Sequence, residues 1–257
     1  FGKTSDAYII GSLEGKRIAF LSRHGRGHRL LPLEINYRAN VYGFKMLGVE
    51  RIISVSSVGS LKEEIKPKDI LLSDQFFDRT RRLNTFFGQG IAAHISFAQP
   101  VCQELCAVLF DAAKKLGLRV HRGGTYICIE GPSFSTKAES LIYRSWGLDV
   151  IGMTGATEAK LCREAEICYA TLACVTDYDC WHEIHATVTA STIIETMRNN
   201  VANARKIIRL AAMGVTARRE CECPEALKTS IVTAPDMVPA KLKRDLALLI
   251  GKYLPSS

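Results

Sequence analysis

The sequence has no apolar run approaching the ~18 residues of a membrane-spanning helix, which excludes such a span. It has no internal repeat, no low-complexity stretch and no Pro- or Gly-rich linker. That excludes repeat arrays and tethered modules and leaves residues 1–257 as one domain. Basic residues are not clustered with aromatics. Apart from the run Arg79-Thr80-Arg81-Arg82 they are spread along the chain, so nucleic acid is not an expected partner. Cys221 and Cys223 have no second cysteine pair at zinc-ligand spacing and no histidine beside them. No metal site is therefore expected. The chain does not start with methionine, and Phe1 is expected to follow residues that lie upstream.

What is present is an ordinary globular composition, 47% apolar and 23% charged over 257 residues. That is enough for one large core. The formal net charge of +8 suits anionic ligands, phosphate being the smallest. Of the nine cysteines, Cys106, Cys128, Cys168, Cys174 and Cys180 sit in apolar stretches and read as reduced core thiols of a cytoplasmic protein. Cys221 and Cys223 lie in a polar segment after a long helical pattern and are expected to be exposed. They are the thiols most open to oxidation. A bridge between residues this close closes a strained ring, so a labile bond or one to a third cysteine is expected.

Apolar β-rich runs alternate with helical patterns. Arg17–Ser22, Arg51–Ser56, Asp69–Asp74, Arg119–Glu130, Asp149–Met153 and Ile167–Thr176 read as strands. Asn36–Leu47, Pro100–Leu116, Ser135–Trp146, Thr157–Ala165, Ser191–Ala211 and Pro239–Gly251 read as helices. This predicts a single α/β domain with a mixed central sheet flanked by helices. The Arg- and Gly-rich piece Arg79–Gly90 reads as a mobile loop over a site.

Five strand ends carry chemistry. Asp177-Tyr178-Asp179 follows the apolar run ending at Thr176. Two acids there are costly unless a complementary polar group docks on them. A departing adenine is such a group, because its N7 must gain a proton and its N6 amino group offers donors. Ser22-Arg23-His24-Gly25-Arg26-Gly27-His28 is a glycine-loosened turn whose Arg23 and His24 can meet an anion. Ser56 and Ser57 offer hydroxyls and amides to the same kind of ligand. Gly131-Pro132 makes a turn before Phe134, which can lie against a flat ring, and Ser135, a candidate helix N-cap. Met153-Thr154 can set a thioether against a sugar and a hydroxyl against an anion.

Together these segments, with NYRANVYGFKMLGV, DQFFDRT and TFFGQGIAAH, resemble the purine nucleoside phosphorylase family over essentially the whole chain. They are most similar to its 5'-methylthioadenosine phosphorylase branch. Relatives that use 6-oxopurines typically carry asparagine where this chain has Asp177. The resemblance implies a nucleoside phosphorylase-like fold. It implies phosphate held by Arg23, His24, Ser56, Ser57 and Thr154, and ribose met by Met153, mainly through its backbone. Phe134 and Ser135 would border the base, with Asp177 at N7, Asp179 at the N6 side and Tyr178 between them. His94 would reach the 5' end of a nucleoside in a neighbouring subunit of a homotrimer. Three departures stand out. The family's glycine-rich phosphate loop and its strand belong upstream of Phe1 and are missing here. Ala190 stands for a valine near the 5'-methylthio group, and Thr157 stands for a proline before Glu158.

The expected activity is phosphate-dependent cleavage of 5'-methylthioadenosine to adenine and 5-methylthioribose 1-phosphate. Asp177 is the expected acid, its pKa raised by burial beside Asp179. No cofactor beyond the co-substrate phosphate is expected. Two alternatives stand beside it. One is a broader phosphorylase acting on adenosine, inosine or guanosine. The other is a non-catalytic nucleoside-binding relative.

Overall fold

The computed structural model describes residues 1–182 and 190–254, with side chains of the last long helix described from residue 196 on. The chain opens with a hairpin, β1 (Ile9–Leu13) and β2 (Lys16–Phe20). Its two-residue turn places Glu14 and Gly15 at φ 49° and 74°, the positive values that match the twist of paired strands.

The main sheet has seven strands in the order β5-β7-β8-β3-β9-β4-β6. These are β3 (Arg51–Ser60), β4 (Ile70–Leu72), β5 (Gln75–Asp78), β6 (Val120–Arg122), β7 (Thr125–Cys128), β8 (Val150–Gly152) and β9 (Cys168–Tyr178). At its centre β3 and β9 run parallel from Arg51 opposite Cys168 to Val58 opposite Val175. β8 and β4 pair antiparallel with β3 and β9, so the sheet is mixed, as expected. β9 is buried along its length except at Asp177, which is why it reads as an apolar run rather than an alternation.

The helices are α1 (Tyr37–Met46), α2 (Gln103–Lys115), α3 (Lys137–Ser145), α4 (Gly155–Glu164), α5 (Ala190–Gly214), α6 (Ala240–Asp245) and α7 (Ala247–Ile250). One core packs Leu105, Leu109, Leu161, Leu172, Ile207 and Ile250 against the sheet. A second gathers Leu61, Ile127, Tyr143, Ile151, Tyr178 and Trp181. Each such side chain contributes about 1.5–3 kcal/mol when fully buried.

The expected strand Arg119–Glu130 is two strands. Gly123 and Gly124, at φ 86° and 110°, break it, and β6 and β7 go to opposite halves of the sheet. The expected helix Pro239–Gly251 divides at Leu246 into α6 and α7. The N-cap of α3 is Thr136 rather than Ser135. Its hydroxyl accepts from the Glu139 amide while Glu139 accepts from the Thr136 amide, a reciprocal capping box. The segment Arg79–Gly90 is anchored, not loose. Arg82 donates to Glu130, to the Tyr37 hydroxyl at 2.8 Å and to the Met153 carbonyl, while Glu164 accepts from Thr85 and the Phe86 amide. Phe86 and Phe87 are buried.

Candidate active site

The site forms where β3 and β9 end together. A bulge between Val58 and Gly59 shifts the register, so Gly59 faces Asp177 and Ser60 faces Tyr178. Strand alternation then puts Asp177 and Asp179 on one face and Tyr178 on the other. The Tyr178 ring lies in the second core, its hydroxyl donating to the Glu63 carbonyl at 3.2 Å. The expectation that Tyr178 sits between the acids at the base is corrected. It sits between them in sequence, but its side chain faces away. Gly59 leaves room here, since a Cβ would press on its neighbours at 3.4 Å from Asp177 Oδ2, 3.3 Å from Asp179 Cβ and 3.1 Å from Ile151.

Burial pushes the Asp177 carboxyl up to about 6, and the charge of Asp179 adds to it. Burial also raises Asp179, against the opposing pull of the Ser140 hydroxyl and the Cys180 amide beside it, and its buried Oδ2 has no well-aligned hydrogen-bond partner. Asp177 Oδ1 lies against the Thr176 hydroxyl, which also faces the Val58 carbonyl at 3.2 Å. That hydroxyl has one proton to give. When it goes to Val58, the bond to Asp177 needs the carboxyl's own proton. Across the same end, Ser135 Oγ is buried and unpartnered, and Phe134 is 71% exposed. The Met153 sulfur packs on Gly131, where a Cβ would come within 2.5 Å of it. The Met153 carbonyl is already bound by Arg82.

Of the expected anion residues, Arg23 meets β3 and the first turn of α4. In the Ser22–Leu30 loop, Gly25, Gly27 and His28 take positive φ, and the Gly25 amide donates to Ser22 at 2.9 Å. This turns the Arg23 side chain inward. Its guanidinium pairs with Glu158 of α4, donates to Ser54 Oγ, and reaches the Val55 carbonyl at 3.2 Å. Glu158 also accepts from Ser54 Oγ and the Tyr169 hydroxyl, each at 2.9 Å. Four of the five guanidinium N–H groups are thereby engaged, leaving one for a ligand. Arg23 fastens the loop to β3 and α4 as well as supplying charge, a role that pattern reading did not foresee. The only local signal was an acid, Glu158, inside an otherwise buried helix face.

His24 Nδ1 donates to the Leu30 carbonyl at 2.8 Å, and its ring stacks on His28. Burial lowers its pKa, so the neutral ring presents Nε2 as an acceptor. Ser56 is buried with its hydroxyl unpartnered, whereas Ser57 is exposed on the other face of β3. Thr154 is buried at the N-cap of α4, its side chain making no cap bond. His94 is exposed, its amide donating to Ser230. Thr157 is buried inside α4, with no break in the helix. The side chain of Ala190 lies outside the described residues.

The family model described as the phosphorylase superfamily matches residues 1–212. The S-methyl-5'-thioadenosine phosphorylase of Koribacter versatilis is 57% identical over 254 residues, 98% of this chain and 87% of that protein. That of Geobacter sulfurreducens is 57% identical over 99% of this chain and 90% of its own length. Among solved structures, a methylthioadenosine phosphorylase from an antarctic soil metagenomic library superposes with a TM-score of 0.92 at 46% identity, covering 96% of this chain and 88% of that one. The Schistosoma mansoni methylthioadenosine phosphorylase, solved with adenine, gives 0.84 at 35% identity over 89% and 86%. With its sheet, its paired acids and its anion turn in place, the chain belongs to the phosphorylase superfamily and, within it, to the S-methyl-5'-thioadenosine phosphorylases.

Proposed function

We propose that the protein catalyses the reversible phosphorolysis of 5'-methylthioadenosine to adenine and 5-methylthioribose 1-phosphate. The observation that carries the reading is the pair of acids on one face of the β9 end, with Asp177 raised to about 6 and Asp179 holding an unpartnered oxygen. Protonated Asp177 gives its proton to N7 as the bond between C1' and N9 breaks. Asp179 accepts from the N6 amino group, which selects adenine over a 6-oxopurine. Phe134 and Ser135 border the base.

A phosphate oxygen attacks C1' of the oxocarbenium-like ribose, so one C–N bond is exchanged for one C–O bond and the base leaves protonated at N7. The remaining Arg23 N–H, the hydroxyls of Ser56 and Thr154 and the Ser57 amide donate to phosphate. Neutral His24 accepts the hydroxyl proton of hydrogen phosphate at Nε2. Met153 meets the ribose mainly through its backbone, whose carbonyl also accepts from Arg82, and packs on it through its thioether. The reaction needs no metal or organic cofactor.

His94, exposed on its own subunit, completes the 5' end of a neighbour's site in a homotrimer, and the enzyme works in the cytoplasm. Among the described residues no helix is long and apolar enough to cross a membrane. A phosphate-dependent assay of base release from methylthioadenosine, adenosine and inosine tests the reading. Adenine release from methylthioadenosine that requires phosphate is expected. Equal release of hypoxanthine from inosine would contradict the role given to the acids.

A further inference from the structure

The structure brings together four thiols from three separate stretches of the sequence. The Sγ atoms of Cys102, Cys168, Cys221 and Cys223 all lie within 4.8 Å of one another, Cys168 and Cys221 at 3.4 Å. They come from three segments: the N-cap of α2, the first residue of β9 and the chain beyond α5. Four thiolates around a tetrahedral zinc, at ~2.3 Å each, stand roughly 3.8 Å from one another. Cys223 is buried and Cys221 half-buried, so the expectation of two exposed thiols is corrected.

Packing does not account for the convergence. Cys106, Cys162 and Cys174 are also buried, yet none joins the group. A thiol that serves as a small apolar side chain has no reason to seek three others. The surroundings suit thiolates. Cys102 caps a thirteen-residue helix, whose N-terminus stabilises negative charge. Arg51, opposite Cys168 in the β3–β9 register, and Arg219, two residues before Cys221, are both paired with Glu50, and Arg51 also with Glu104, so these charges balance one another around the group. The ligand segments are held in position as well. Glu104 accepts from the amides of Glu220 and Cys221 at 2.9 and 3.1 Å, the Cys102 amide donates to Tyr169 at 2.8 Å, and the Cys168 amide donates to Glu50 at 2.9 Å.

We propose that Cys102, Cys168, Cys221 and Cys223 form a structural tetrathiolate site for a soft divalent metal ion, zinc above all. It fastens the C-terminal segment to α2 and to the start of β9. That segment carries Leu227, Leu246, Ile250 and Leu254 into the main core. The site lies at the opposite end of β9 from Asp177, about 30 Å away at strand rise, so its role is in folding and not in base release.

The test is anaerobic titration of the reduced, metal-free full chain with cobalt(II), followed by zinc(II). The expected result is one cobalt per chain with the thiolate charge-transfer and intense visible bands of a tetrahedral four-sulfur site, bleached by one equivalent of zinc. Cys221→Ser, at the half-exposed ligand, and Cys168→Ser abolish that spectrum, while Cys106→Ser keeps it. Failure of the reduced wild type to give the spectrum would overturn the proposal. So would its survival in Cys221→Ser, or protein isolated without chelators whose four cysteines are joined in pairs as disulfides.

Discussion

The two ends of β9 contrast sharply. At Cys168 four sulfurs face one another across three chain segments, and the amides around them are paired. At Asp177 and Asp179 the same strand ends with raised carboxyls, an unpartnered oxygen and a neighbouring unpartnered serine hydroxyl. Buried polar atoms without partners are costly, and a fold keeps them where a ligand supplies the bonds. The closed end therefore serves the fold, and the open end serves chemistry at the fold's expense.

Substituting the open end should separate these two effects most. Asp177→Asn removes the proton donor and is expected to lower kcat by about 10²–10⁴-fold. The same change should stabilise the protein without ligand near neutral pH. A carboxyl raised from 3.8 to about 6 gives stability that is complete below pH 3.8 and lost as pH rises through 6. Recovering it should be worth about 1–3 kcal/mol. Chemical denaturation alongside kinetics checks both. An inactive variant that is also less stable would mean that Asp177 supports the fold.

Arg23 probes whether the phosphate end belongs to the open or the closed type. Its side chain is 17% exposed and that of Glu158 13%. Arg23→Ala strands a buried carboxylate and is expected to cost about 3–5 kcal/mol of stability as well as raise the phosphate KM. Adding Glu158→Gln should restore most of the stability and none of the phosphate affinity. If the double variant recovers both, Arg23 is structural only.

Gly59→Ala gives a smaller, local effect. The new methyl presses on Asp177 and Asp179, so base positioning should suffer while the core gives way by roughly 1 kcal/mol. A fall in kcat/KM of about tenfold with a small shift in Tm is expected. Unchanged kinetics would place both carboxyls away from the reacting base.

Local patterns made part of this legible. The apolar length of β9, the acids just past it and the glycines of the Ser22–His28 turn are signals within a few residues of one another, and strand alternation follows from them. Three features were not legible, because each depends on distant chain segments meeting. Glu158 finds Arg23 only when α4 docks on β3. Arg82 looks like part of a charged loop until Glu130 and Met153 close around it. Cys102 and Cys168 join Cys221 and Cys223 because the start of α2 docks on Tyr169 of β9 and Glu104 holds the Glu220 and Cys221 amides, which no spacing rule contains. The split of Arg119–Glu130 was available in the Gly123-Gly124 pair, and continuous apolar character masked it.

The pH dependence of kcat/KM for methylthioadenosine, at saturating phosphate, tests the role of Asp177 most directly. Activity needs the protonated carboxyl, so the wild type should fall by roughly tenfold per pH unit above about 6, and Asp177→Asn should lack that descending limb. A limb that persists unchanged in Asp177→Asn, or a wild-type profile flat through pH 6, would contradict proton donation by Asp177.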